Sequence, residues 1–538
     1  MCADYHPSAW GDYFISFQPI IPPSELVSLK HKMDALKAEI FQMFMNREGH
    51  LQSLELIDTI QRLGVAYHFE MEISEALQSI YESDYDYHDL YAISLHFRLL
   101  RQQRYLVPTN VFEIFLDENG NFKNGLSTDA NGLLSLFEAA HLGMPEEKIL
   151  DDAIIFSKTH LMSMKYQMEP HFAAMLSSAL QVPLFRRIDR SKTRSFLSIY
   201  EDDSNCNKVL LDFAKMDFLC LQALHQDEAK ELSIWWKKLA LSKKLPFARD
   251  RLVECYFWIV SVYFESHYSR ARTMMTKFLT QLSILDDIYD VYGTLEELYL
   301  LTDVIERWEV ESMNKLPEYM QYYTHALFKT VKDAENELAQ EQNSFRLDYF
   351  KQELIKVAKY YLIESIWANK FYVPKLDEHL SVTIFTAGYS FLTCAAYIGM
   401  EEMIPKTTFD WVAGFPEIIK ASCLIGRIKN DIASHKLEQK RIHIASTVQC
   451  YLMEHECSEE EACLKLLEMS NKAWKTINKE FLTLNKLPLS LIGPIMNLAR
   501  FNEFVYLDID MYTQSEEIMK ENINAVLIEP VQINGLRD

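Results

Sequence analysis

Two polar clusters, far apart in the chain, carry the residue types that bind divalent cations. Asp286, Asp287 and Asp290 form Asp286-Asp287-Ile288-Tyr289-Asp290 directly after the stretch 273–285, where Met275, Phe278, Leu279, Leu282 and Leu285 recur at helical spacing. On a helix Asp286 and Asp290 stand one above the other, with Asp287 turned about 100° away. Like charges this close repel one another and the negative end of a helix. The cluster is therefore either a solvated acidic tip or a receiver of cations. Carboxylate oxygens suit Mg²⁺, which takes one or two of them and fills its shell with water and phosphate oxygens. Downstream, Asn430, Ser434 and Glu438 recur every four residues beside Leu424, Ile425, Ile428 and Ile432. Amide, hydroxyl and carboxylate oxygens in one stripe make either a solvated face or a row of metal ligands. Arg249 and Arg251 flank Asp250 ahead of RLVECYFWIV, and Arg427 precedes Asn430 by three residues. Guanidinium forks hold carboxylates in capping clusters and phosphate oxygens bidentately. Two acidic cation sites with three arginines together read as a diphosphate trap. Trp258 stands two helical turns from Arg251, with Tyr389, Phe391, Tyr506 and Tyr512 as further aromatics. Each packs in a core or walls a pocket that could shelter a carbocation, at about 0.5–2 kcal/mol per well-placed ring.

Helices must position these groups. The 538 residues include only 14 glycines and 16 prolines, against the roughly 38 glycines that average usage would give. Strand-rich and Gly-rich nucleotide-binding folds need more tight turns than that. Helical periodicity appears over 51–69, 90–106 and 133–141, the asparagines and glycines of 117–125 read as a turn, and Thr294 with Glu297 reads as a capping box after a terminating Gly293. The prolines at 7, 19, 22 and 23 suggest an extended strap, and the charge-mixed stretch 186–208 a domain junction. The expected organisation is all-α: a strap over 1–24, a helical domain over 25–215 and a helical domain over 216–538. Hydrophobic residues at 49% and charged ones at 24% are ordinary globular usage, and the net charge of −23 disfavours nucleic acid and anionic membranes as partners. No run of 18 apolar residues occurs, so no membrane span is expected. Nine cysteines without a C-x-x-C pair read as reduced thiols, and the N-terminus lacks an apolar or acid-poor leader, which points to the cytoplasm.

Several longer strings sharpen this reading: HPSAWGDYF near the N-terminus, LIDTIQRLGVAYHFE (56–70), FRLLRQQRY (97–105), FAKMDFLCLQALHQ (213–226), LPFARDRLVECYFW (245–258), SILDDIYDVYGTLEEL (283–298) and RIKNDIASHKLEQKR (427–441). With them the chain resembles a plant class I terpene synthase of the cytosolic sesquiterpene type. The resemblance implies a C-terminal catalytic α-bundle and an N-terminal relic α-barrel domain, without the relic's activity because no D-x-D-D motif occurs. It implies that Asp286 and Asp290, and separately Asn430, Ser434 and Glu438, bind Mg²⁺, three ions in all, with Mn²⁺ as a substitute and Asp287 close by. Arg249, Arg251 and Arg427 would engage the diphosphate of a prenyl diphosphate substrate, with Trp258 in the pocket wall and Tyr506, Asp510 and Tyr512 at its mouth. Farnesyl diphosphate is the expected substrate of a monomeric enzyme. The alternatives are a geranyl diphosphate or dual-substrate synthase and a catalytically silent helical scaffold.

The chain departs from the family pattern where glycine is usual: at Arg104, Ile442, Ile509 and Met511, and with Ile234 in place of a common arginine. A β-branched residue forced to positive φ would be strained by about 1–3 kcal/mol. An altered lid is therefore expected around Ile509 and Met511.

Overall fold

The structure, a computed structural model, describes residues 5–19, 21–46, 49–85, 87–165, 168–341, 343–438, 445–484 and 486–533, with backbone only at Pro23, Leu437 and Glu438. Among these residues every regular element is helical, and the sole β pairing is an isolated antiparallel bridge between Leu116 and Phe122. That bridge closes the expected turn, where the Asp117 carboxylate accepts from the backbone N–H of Asn119 (2.9 Å) and Asn121 (3.0 Å). The chain is all-α, as its glycine shortage implies.

The chain divides into two discontinuous units. The first comprises Pro19–Ala223, Lys475–Pro488 and Ala525–Asp538; the second comprises Met1–Gln18, Leu224–Trp474 and Leu489–Asn524. The stretch 186–208 is not the junction its polarity suggests. It holds the helix Asp189–Glu201, which buries Arg190, Thr193 and Leu197. The division falls instead inside the helix Lys208–Leu239.

In the first unit, α1 (Leu90–Gln102) packs against α2 (Ala130–Ala140), which packs against α3 (Lys148–Met164). Asp89 and Asp129 cap α1 and α2 by accepting from Ala92 N–H and Gly132 N–H at 2.9 Å each, satisfying donors the helix cannot. α1 is buried on nearly every face, so its polar residues need partners. Arg98 donates to Asp58 (2.6 Å), which also pairs with Arg62 (2.8 Å), and Arg101 donates to Glu147 and the Val107 carbonyl. Just past α1, Arg104 does adopt positive φ (68°) at the position where glycine is usual. Its guanidinium donates to the carbonyls of Phe481 (2.9 Å) and Leu487 (2.7 Å), at and beyond the end of the helix Glu459–Thr483. Cations favour that negative helix end.

The second unit contains α4 (Leu252–Val262), α5 (Ser269–Asp287), α6 (Leu295–Arg307), α7 (Phe345–Asn369), α8 (Leu376–Thr386), α9 (Tyr389–Ile398), α10 (Glu417–Glu438), α11 (Thr447–His455) and α12 (Leu489–Val505). α4 is wholly buried, and α5 pairs with α4 and α9. α10 packs on α12, α8, α9 and α11. The stretch Leu376–Ile398 is long and apolar enough, by length and composition, to cross a membrane, yet 83% of its most apolar window is buried in the fold. Gly388, at φ 79°, breaks it into α8 and α9.

α5 does not end on a left-handed Gly293. It runs into a π turn, Ile288–Tyr292, and Gly293 is extended at φ −67° and ψ 137°. Glycine is needed there for close packing: a Cβ would meet Leu298 Cδ2 at 2.6 Å and the Ile288 carbonyl at 2.9 Å. The capping box is present, with Glu297 N–H donating to Thr294 Oγ1 (3.4 Å) and Thr294 N–H to Glu297 Oε2 (3.0 Å).

Candidate active site

A cavity of about 630 Å³ lies in the second unit, among the ends of these helices. On one wall the end of α5 and the π turn present Asp286 and Asp290; on another α10 presents Arg427, Asn430 and Ser434. The two sequence clusters thus meet across one space. The π turn sits between the aspartates, as such turns often do at functional sites, and Ser365 Oγ donates to its Tyr289 carbonyl at 3.1 Å.

Asp287, by contrast, does not line the cavity and is 0% exposed. It accepts from Arg249 N–H at 2.8 Å and pairs with Arg249 Nε at 2.9 Å. Burial pushes its carboxyl up to about 7. Arg249 lies on the loop before α4, donates to Asp286 (2.7 Å) and Thr513 Oγ1 (3.2 Å), and places its guanidinium 5.1 Å from the Tyr512 ring. Arg427 donates to Asp431 (3.0 Å), Thr386 Oγ1 (3.2 Å) and the Thr383 carbonyl (3.3 Å). Burial works against its charge, but Asp431 and Glu364 raise its pKa well above the usual range, so it remains cationic. Asp431 also accepts from Thr447 N–H at 2.6 Å, at the N-terminus of α11.

Arg251 does not line the cavity with Arg249 and Arg427. Its guanidinium is 1% exposed and donates to the carbonyls of His6, Tyr512 and Thr513, each at 3.2 Å. It therefore ties the N-terminal strap to the segment after α12. Tyr5 and His6 of that strap line the cavity beside Thr513 and Gln514.

Four of the five aromatic residues singled out in the sequence line the cavity. Trp258, Tyr389, Tyr506 and Tyr512 line the cavity, whereas Phe391 packs against Phe350 (centroids 4.8 Å apart) in the core. Trp258 stacks on Phe501 at 4.3 Å and meets Tyr512 edge-on at 5.9 Å. The Tyr512 hydroxyl donates to Ser283 Oγ at 2.5 Å, and burial holds its pKa well above the usual range. Asp510 accepts from the N–H groups of Tyr512 (3.0 Å) and Thr513 (3.1 Å), which fixes the bend at the mouth. Neither Ile509 nor Met511 has positive φ among the described residues, so the strain expected there is absent and falls on Arg104. Ile442 lies outside the described residues, as does the Glu438 side chain.

Sequence reasoning missed Glu364 and His379, both cavity-lining. Glu364 accepts from Thr386 Oγ1 at 3.0 Å, and burial pushes its carboxyl up to about 8. The only signal available was one acid inside the mostly apolar stretch 360–367 (YYLIESIW) of α7.

The donors suit a hard divalent cation. Ser434 Oγ is buried with no hydrogen-bond partner although it lines the cavity, an orphan that a ligand would satisfy. Among the described residues no three His, Cys, Asp or Glu side chains form a metal cage.

Residues 237–476 match the model of the terpene synthase family metal-binding domain, and residues 9–180 that of the terpene synthase N-terminal domain. The chain is 45% identical to sesquiterpene synthase 2 of Toona sinensis, over 99% of this chain and 96% of that protein. It is 44% identical to alpha-humulene synthase of Zingiber zerumbet, over 98% and 96%. Among solved structures it is similar to limonene synthase with 2-fluorolinalyl diphosphate (TM-score 0.93, 30% identity, 98% of this chain and 99% of that one). It is also similar to isoprene synthase from grey poplar with three Mg²⁺ ions and dimethylallyl-S-thiolodiphosphate (TM-score 0.88, 32% identity, 98% and 99%).

Proposed function

The chain belongs to the terpene synthase family, and on that premise we propose that it is a sesquiterpene synthase: it ionises farnesyl diphosphate with Mg²⁺, releases inorganic diphosphate and cyclises the cation that remains. It is a lyase acting on prenyl diphosphates and depends on a divalent metal. The observation that carries the prenyl diphosphate reading is the meeting of Asp286 and Asp290 with Asn430, Ser434 and Arg427 across one aromatic-walled cavity, and the sesquiterpene synthases among its relatives favour farnesyl diphosphate.

Asp286 and Asp290 would hold metal on one wall; Asn430, Ser434 and Glu438 would hold it on the other. We take the number as three, as in the grey poplar complex, with Mn²⁺ able to substitute. Bound there, the metal would neutralise charge on the diphosphate oxygens and make the group a better leaving group. The chain's own residues do the rest. Asp287 fixes Arg249 through its backbone N–H and guanidinium, and Asp431 fixes Arg427, so two oriented cations await the departing charge without reorganising. Arg251 acts by holding His6 against Tyr512 and Thr513, which helps exclude water from a cation that water would quench. Asp510 holds the bend that seats Tyr512. The rings of Trp258, Tyr389, Tyr506 and Tyr512 offer π faces to a cation. Deprotonation or capture of one water ends the reaction. We further propose that the enzyme works as a cytoplasmic monomer without nucleic-acid or membrane partners, which its net charge of −23 supports.

The test is incubation of the purified protein with Mg²⁺ and farnesyl or geranyl diphosphate, with volatiles analysed by mass spectrometry. Sesquiterpenes from farnesyl diphosphate are expected. A folded protein that yields only monoterpenes, or nothing, overturns the reading.

A further inference from the structure

A glycine and a tyrosine meet on the cavity wall beside Arg427. A Cβ on Gly426 of α10 would lie 2.1 Å from Tyr389 Cε2, 3.0 Å from its Cζ and 3.1 Å from Asn502 Nδ2. Carbon atoms in contact normally stand about 3.5–4.0 Å apart, so an added methyl must move the ring. Little freedom is left to it. The Tyr389 hydroxyl donates to Asn502 Oδ1, and Asn502 Nδ2 in turn donates to the Leu498 carbonyl at 3.2 Å on α12. At its backbone Tyr389 opens α9 directly after Gly388, whose φ of 79° fixes the turn out of α8. The residue is 4% exposed, and it lines the cavity. With α10 behind it and α12 holding its hydroxyl, the empty space beside the ring is the cavity itself.

We propose that Gly426 and Tyr389 act as one specificity-determining pair: the missing side chain at 426 lets the Tyr389 ring lie against the α10 backbone, and the position of that ring selects which carbons of the isoprenoid chain meet. The inference rests on the sesquiterpene synthase reading and deepens it. The Tyr389 hydroxyl is held neutral by burial and bound to Asn502, so its contribution is the shape and π face of the ring rather than a proton. Competing cyclisations branch from one cation, and their ratio follows small differences in how the wall supports each path. A β-carbon at 426 would tilt the ring inward and change those differences.

The test compares the wild type, Gly426→Ala, Tyr389→Leu and the double variant. Each is incubated with farnesyl diphosphate and Mg²⁺; mass spectrometry gives the ratio of the main product to all others, and diphosphate release gives total turnover. Gly426→Ala should change the ratio by about tenfold, the scale of one methyl in an apolar pocket. The double variant should reproduce the Tyr389→Leu ratio, because the added methyl then has no ring to displace. An active Gly426→Ala enzyme with the wild-type ratio overturns the proposal. So does a double variant whose shift is the product of the two single shifts. If Gly426→Ala fails to fold by circular dichroism, the double variant decides alone: a ratio matching Tyr389→Leu supports the pair, and any other overturns it. A wild type that releases no diphosphate overturns the sesquiterpene synthase reading itself, a different result from an active enzyme with unchanged products.

Discussion

In the first unit Asp58 faces two arginines, Arg62 and Arg98, within 2.8 Å; in the second Asp287 faces one, Arg249, with Asp286 and Asp290 close by. Both carboxylates pay for burial, which pushes each upward. For Asp58 the two arginines outweigh it and hold the group down to about 2. For Asp287 the single arginine does not offset burial and two acidic neighbours, and the group rises to about 7. Glu364, also on the second unit, rises to about 8. A carboxylate matched by arginines is finished within the fold. Carboxylates in excess of arginine leave room for cations that the fold itself does not supply.

The largest effect expected from this contrast is on activity. Asp286→Ala should lower kcat by about 10²–10³, the scale of one preorganised electrostatic group, with helix content by circular dichroism unchanged. Activity near the wild-type level would mean that the second unit's excess charge is only a solvated tip. Asp58→Asn should do the reverse. It strands the buried Arg98 and the half-buried Arg62 and should cost about 3 kcal/mol in urea unfolding, while kcat per folded molecule stays the same.

Acid and base should then pull the units apart. The folded pKa of Asp58 lies below its ordinary 3.8, so its contribution, about 2 kcal/mol, is present above that value and lost as pH falls toward 2. Glu364 has the opposite sign. Its folded pKa is raised, so its contribution is complete at low pH and is lost as pH rises through about 8. Metal-free Glu364→Gln should therefore gain in melting temperature over the wild type at pH 9 but not at pH 5. Equal gains at both would show that Glu364 does not titrate as its surroundings imply. The smallest effect should come from Ile509→Gly, which relieves no positive φ and loosens the unfolded chain, costing about 0.5–1 kcal/mol. A stabilised variant would show strain at the mouth after all.

The sequence made the two helices that carry the candidate metal ligands legible because their signal is local: four-residue spacing on an apolar helix, and a capping box that marks where the next helix starts. It could not show that the aspartates straddle an α-to-π transition, which leaves Gly293 to serve packing rather than termination. Spacing turned Asp287 about 100° from Asp286, but it could not show that both would meet Arg249, 37 and 38 residues away. Glu364 and His379 reach the cavity from α7 and α8 without any neighbour that marks them. Arg251 looked like a twin of Arg249 because both flank Asp250, yet its partners include His6, 245 residues upstream. The missing glycines were visible, but which of them carried positive φ depended on backbone geometry. Among the described ones it was Arg104, whose side chain gains two carbonyl partners in return.

The strap has a consequence in time. His6 Nε2 and the Thr513 carbonyl lie 3.0 Å apart but 507 residues apart in the chain. At a synthesis rate of about 5–20 residues per second, roughly half a minute to two minutes separate the emergence of the two groups from the ribosome. The strap residue is thus made long before its partner, and this side of the pocket cannot close until Thr513 has emerged.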